Sequence, residues 1–145
     1  MSTFTTESIG LRAKLASLWC SLMFLYLYAD VFSFYRPGMI GKIQDGMMGP
    51  IAATQTSLLV ASILMLIPSL MIAGSFLFSM SLTRKLHAII GVLFTLVNVG
   101  NLVGETWLYY LTYGAVEIVI TLAIVLIALR GRLTAIVKKG QAVGD

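Results

Sequence analysis

The chain has 145 residues, 59% of them hydrophobic and 11% charged, with a mean hydropathy of +0.95 and a formal net charge of +4. A soluble domain carries about 25% charged residues, so the composition excludes a soluble enzyme, a secreted disulfide scaffold and a disordered tail. One cysteine, Cys20, and one histidine, His87, exclude an intramolecular disulfide, a multi-cysteine metal site and a paired-histidine ligand set; no metal or cofactor is expected.

No charge interrupts residues 46–83, and only Glu117 interrupts residues 106–129. Each run exceeds the roughly 20 apolar residues needed to cross a bilayer core. Helices are expected because hydrocarbon offers the backbone no water, so each span must satisfy its own hydrogen bonds. The alternating segments of a transmembrane barrel are absent. The expected fold is all-α, an integral-membrane four-helix bundle forming one transmembrane domain over residues 1–145.

Span one is expected over residues 15–35. It reads as an uncleaved span, because it continues past Asp30 into Phe32-Ser33-Phe34-Tyr35 without a small-residue cleavage site. Residues 36–53 form an external loop rich in turn signals, Pro37-Gly38, Gly41, Asp45-Gly46 and Gly49-Pro50. This loop either caps the bundle or carries a short interfacial helix near Met39 to Met48. Span two, residues 54–80, contains Pro68, which predicts a kink. Span three covers residues 86–104, with His87 as an ordinary boundary residue. Span four covers residues 107–129, and a basic tail with Leu133, Ile136 and Val137 at helical spacing fills residues 130–145 and lies along the inner leaflet.

Eight basic residues (Arg12, Lys14, Arg84, Lys85, Arg130, Arg132, Lys138 and Lys139) fall on one side of these spans, against Arg36 and Lys42 on the other. The positive-inside rule therefore predicts a multi-pass protein of the inner (plasma) membrane with both termini cytoplasmic. The positive charge is spent on topology, and no nucleic-acid partner is expected; the partner is the lipid bilayer.

The chemically informative residues are the polar ones inside the spans. Tyr26, Asp30 and Ser33 share a face of span one. Span four carries Tyr110, Tyr113, Glu117 and Thr121 in steps of three and four, and span three carries Thr95, Asn98, Asn101 and Glu105. Span two adds Gln55, Ser62 and Ser69. Polar groups facing lipid are expensive, so the stripes are expected to line an outward-facing polar cavity, above an inner half that forms a dry, packed plug. Asp30 and Glu117 have no Lys or Arg within the spans, with Arg36 the nearest counter-ion. This leaves protonated hydrogen-bonding groups, a shared proton, or a bound cation or amine. The plainer reading of both acids is as interhelical ties. The same choice applies to Asn98 and Asn101, while Trp107, Tyr109 and Tyr35 fit an interfacial aromatic belt. The spacing of Gly100 and Gly104 gives a close-packing pattern compatible with a homodimer.

At Tyr26-Leu27-Tyr28-Ala29-Asp30, followed by Pro37-Gly38, the chain resembles an uncharacterised family of small bacterial and archaeal four-span membrane proteins. The likeness extends to Pro68, Asn98, Tyr109-Tyr110 and Glu117. The resemblance implies the four-span architecture and assigns no reaction or catalytic residue. In general form the chain is also similar to DoxX-type small membrane proteins, without their redox motifs.

The expected function is binding or transport of a small lipophilic or cationic ligand. Its candidate ligand-binding residues are Asp30, Glu117, Tyr26, Tyr113, Asn98, Asn101 and Gln55, with proton exchange at the acidic pair driving release. Two alternatives stand beside it. An accessory subunit of a membrane complex would use the polar stripes against another protein. A membrane enzyme would use the two acids on a lipid, isoprenoid or quinone, although no nucleophile–base motif or phosphate loop accompanies them.

Overall fold

The computed structural model describes residues 6–141, with side chains described for residues 9–130. The chain runs through α1 (Thr6–Ser33), α2 (Met39–Gln44), strands β1 (Met47–Met48) and β2 (Ile51–Ala52), then α3 (Gln55–Leu77), α4 (Met80–Asn101) and α5 (Leu108–Gln141). Among the described residues four stretches are long and apolar enough to cross a membrane: Ile9–Ser33, Gln55–Leu77, Met80–Asn101 and Leu108–Arg130. The protein is an all-α four-helix bundle.

Two ends are distinguished by what they carry. The basic end holds Arg12, the turn between α3 and α4 with Arg84 and Lys85, and Arg130. The loop end holds the α1–α3 connection and the α4–α5 turn. Helix α5 packs along α4 and also against α1, and α1 packs in turn against α3. Helices α3 and α4 are consecutive in sequence yet touch little. The core, Leu15, Trp19, Leu22, Met71, Phe94 and Ile124, lies where the four helices close on one another. On α3 the fully buried residues are Pro68, Met71, Gly74 and Ser75, and in its loop-end half, residues 55–67, only Leu64 and Ile67 pack, partly buried, against the core.

Local chemistry sets the element ends. A capping box starts α3: the Thr54 backbone N–H donates to Ser57 Oγ at 2.8 Å and the Ser57 N–H to Thr54 Oγ1 at 3.1 Å. The α4–α5 turn passes through Gly104 at φ +80°, a left-handed conformation that side chains resist. In the external connection, β1 and β2 pair with Met48 opposite Ile51 around the two-residue turn Gly49-Pro50, with Gly49 at φ +60°.

The element ends differ from the sequence expectation. Helix α1 starts before residue 15 and stops at Ser33, leaving Tyr35 in the connection. Helix α4 starts at Met80, because the polar turn Ser81-Leu82-Thr83-Arg84-Lys85 continues the same backbone ladder outside the apolar run. Helix α3 runs unbroken through Pro68. Helix α5 continues past Leu129 to Gln141, so the first part of the basic tail is helical, while residues 142–145 lie outside the described residues. The external loop carries α2, which buries none of its residues, and the small hairpin.

Candidate functional site

The loop end is built around Arg36, three residues past the end of α1. Its Nη2 donates to Glu105 Oε2 at 3.0 Å and its Nε to the Tyr109 hydroxyl at 2.6 Å. The guanidinium carbon lies 5.2 Å from the Trp107 ring centroid, 5.0 Å from Tyr109 and 5.2 Å from Tyr110. All three are within the roughly 6 Å over which a ring face attracts a cation. Glu105 is oriented by the start of α5, its Oε1 accepting from the backbone N–H of Thr106 at 2.8 Å and of Trp107 at 2.9 Å. A carboxylate there also complements the positive end of the helix dipole.

The electrostatics of the pair follow from these contacts. Burial acts to raise the Glu105 pKa, but the Trp107 and Thr106 amides and the Arg36 guanidinium outweigh it and hold the carboxyl below its ordinary value. Burial likewise acts against the charged form of Arg36, and the Glu105 and Tyr109 oxygens more than offset it. Arg36 therefore folds back from the loop, as anticipated, but onto Glu105. It is not the counter-ion of Asp30 and Glu117.

Against this cage lies an open pocket of about 300 Å³ lined by Phe32, Tyr35, Arg36, Trp107, Tyr109 and Tyr113. Phe32 ties its walls together, its ring centroid 6.2 Å from Tyr109 and 6.1 Å from Tyr113. Ser33 Oγ and the Tyr109 hydroxyl are hydrogen-bonded at 2.9 Å, fixing the end of α1 to the start of α5.

One turn further along α5 from Tyr113 is Glu117, only 5% exposed. Across from it the Tyr26 hydroxyl donates to Asn98 Oδ1 at 2.7 Å. Asn98 is fully buried and its Nδ2 finds no hydrogen-bond partner among the described residues. Glu117 is within electrostatic reach of Tyr26, Asp30 and Tyr110. Tyr110 is within electrostatic reach of Asp30, Glu117, Glu105 and Arg36. Asp30 is exposed. At about 100° per residue it lies some 40° round α1 from the partly buried Tyr26.

The structure thus brings Tyr26, Asn98, Glu117 and Asp30 into one neighbourhood, and Tyr113 into the adjoining pocket. Asn101 is exposed near the end of α4, and Gln55 is exposed in the first turn of α3, where no side chain is buried. Neither is brought to the cluster. The Arg36 cage escaped sequence reasoning because its hydrogen-bond partners lie 69 and 73 positions away in the chain. The available signal was a lone arginine and a lone glutamate at two connections on the same side of the membrane.

At the basic end the packed interior holds polar groups that the sequence reading did not place there. Arg12 is 5% exposed and donates from Nη1 to the Ser75 backbone carbonyl at 2.7 Å. His87 is fully buried: the Trp19 Nε1–H donates to its Nδ1 at 2.7 Å, and Ser75 Oγ lies 3.3 Å from its Nε2. Because indole nitrogen can only donate, His87 is neutral with its proton on Nε2, where it donates to Ser75 Oγ. That hydroxyl donates onward to the Met71 carbonyl at 2.8 Å. The imidazole therefore has no lone pair toward Ser75 and cannot activate it as a nucleophile. The chain Trp19–His87–Ser75–Met71 ties α1, α3 and α4 together, and His87 is a buried tie in place of the expected boundary residue.

Among the described residues no group of three His, Cys, Asp or Glu side chains is arranged to hold a metal ion. Neither the curated proteins nor the solved structures hold a significant match to the chain. A family profile does match, over residues 4–137. That match spans nearly the whole chain, including every helix that forms the loop-end site, and the protein belongs to the family of unknown function DUF6326.

Proposed function

We propose that this protein binds and transports a small lipophilic or cationic ligand, received at the loop end and met there by Asp30 and Glu117. The observation that carries this reading is the aromatic pocket of about 300 Å³ whose wall residue Tyr113 stands one helical turn from the nearly buried Glu117. Pockets for small molecules are mostly apolar with a few placed polar groups, and this one is walled by Phe32, Tyr35, Trp107, Tyr109 and Tyr113. Glu117 supplies a group whose buried charge a ligand amine or a proton would neutralise. Proton exchange at the Asp30–Glu117 pair would then accompany release. Tyr26 and Asn98 shape the floor beside Glu117.

The charge distribution supports a location in the plasma membrane with the basic end and both termini cytoplasmic, so that the pocket opens outward. The Tyr26-Leu27-Tyr28-Ala29-Asp30 pattern would mark related chains of prokaryotic origin, and the likeness to DoxX-type proteins concerns general form. A second reading, an accessory subunit, draws on the loop-end half of α3, where Leu58, Leu59, Val60, Ile63 and Leu66 are exposed while Leu64 and Ile67 pack against the core.

The test is uptake of tetraphenylphosphonium into proteoliposomes. Flux above protein-free vesicles is expected for the wild type, falling about tenfold, as for loss of one well-buried charge contact, in Glu117→Gln and less in Asp30→Asn. Flux indifferent to both substitutions would contradict the carrier reading, and its absence together with co-purification of a partner on α3 would favour the subunit.

A further inference from the structure

We infer that Trp107, Tyr109, Tyr110 and Glu105 form a receptor site for an organic cation of the guanidinium or quaternary ammonium class, and that Arg36 is its tethered occupant, displaced when such a cation arrives. The inference rests on the binding reading above and deepens it, naming the ligand's head group and the gate it meets.

The receptor half of the site is organised without Arg36. Its acceptor and its aromatic walls come from one short stretch, residues 105–110. Two backbone amides hold Glu105 Oε1 at 2.8 and 2.9 Å and leave Oε2 to face the cation. Tyr109 packs edge-on against both Trp107 and Tyr110, with centroids 6.3 and 6.1 Å apart. None of these contacts involves Arg36. The occupant comes from elsewhere in the chain, at a connection between α1 and α2. An ion pair alone would serve to fasten that connection; three ring faces at 5.0 to 5.2 Å around the same carbon constitute a cage selective for a delocalised or alkylated cation.

The cage also continues into space. Arg36, Trp107 and Tyr109 line both the cage and the pocket, whose remaining walls are Phe32, Tyr35 and Tyr113. A cationic head seated in place of the guanidinium would lay its apolar body along those rings. Departure of Arg36 would simultaneously widen the pocket and remove the contact joining the α1–α2 connection to the start of α5. Tyr110 belongs to the cage and is also within electrostatic reach of Glu117 and Asp30.

Chemical complementation tests this on the full chain in lipid nanodiscs. Methylguanidinium should bind Arg36→Ala about tenfold more tightly than the wild type, the weight of one to two cation–π contacts, and should restore the thermal stability that the substitution removes. The gain should vanish in Arg36→Ala/Glu105→Gln. Arg36→Gln provides the same comparison if the alanine variant does not fold. In the wild type, tetramethylammonium should speed modification of Arg36 by phenylglyoxal severalfold by expelling it from the cage. Equal affinity of both chains for methylguanidinium, or a modification rate unmoved by tetramethylammonium, would overturn the inference. Cage binding without tetraphenylphosphonium flux would support the site while refuting transport, so the two claims fail separately.

Discussion

At the scale of single residues, the bundle centre is held by a polar contact between Tyr26 and Asn98. Removing one partner leaves the other unsatisfied away from water, which is costlier than removing both. Tyr26→Phe is expected to destabilise the protein by about 1 kcal/mol, and Asn98→Leu by a similar amount. The double variant should lose less than the sum, measured by reversible denaturation in mixed micelles. The Arg36–Glu105 pair has its own signature. Because the folded-state pKa of Glu105 is depressed, its stabilisation is present above the ordinary Glu value of about 4.3. It is lost as the pH falls through the lower folded value. Thermal stability of the wild type relative to Glu105→Gln should be flat from neutrality to about pH 5 and shrink below about pH 4. Tyr26, Asn98 and Glu117 were legible from helical spacing, since polar side chains within apolar runs must turn inward. The Arg36–Glu105 pairing was not: Glu105 continues the stripe of span three and Arg36 was marked as a counter-ion, but their contact joins two connections 69 positions apart.

At the scale of elements, the tightest pairing is α4 against α5, and Gly91 lies in that seam. A Cβ there would meet Val125 Cγ2 at 2.8 Å, Ile124 Cγ2 at 3.4 Å and the Thr121 carbonyl at 3.5 Å. Gly91→Leu is therefore expected to force the helices apart at a loss of roughly 2–3 kcal/mol, read as a lowered melting temperature. Gly100→Leu, where a Cβ meets nothing within 4 Å, should be tolerated. The four long helices were readable because each apolar run is long enough to span hydrocarbon. Their ends were less so: Met80 to Lys85 and the start of α1 carry polar residues that continue a helix beyond the apolar window without altering its backbone bonding. The uneven packing of α3 has no counterpart in its sequence, since residues 55–67 are as apolar as the half that is buried.

At the scale of the whole molecule, the two ends do different work. The basic end is closed by Trp19, His87, Ser75 and Arg12 bonded across three helices, a network that the charge pattern concealed because His87 and Arg12 read as topology markers. The loop end holds the pocket, the caged guanidinium and the half-hidden acids. On the proposed function, this end binds a lipophilic cation through Glu117 and the aromatic walls. Equilibrium binding of tetraphenylphosphonium to the full chain in nanodiscs tests it most directly. Saturable one-site binding is expected, weakened about tenfold by Glu117→Gln and by Tyr113→Ala, the weight of one charge or ring contact, and unaltered by Cys20→Ser. Binding that fails to saturate, or that is equal in all four chains, would contradict it.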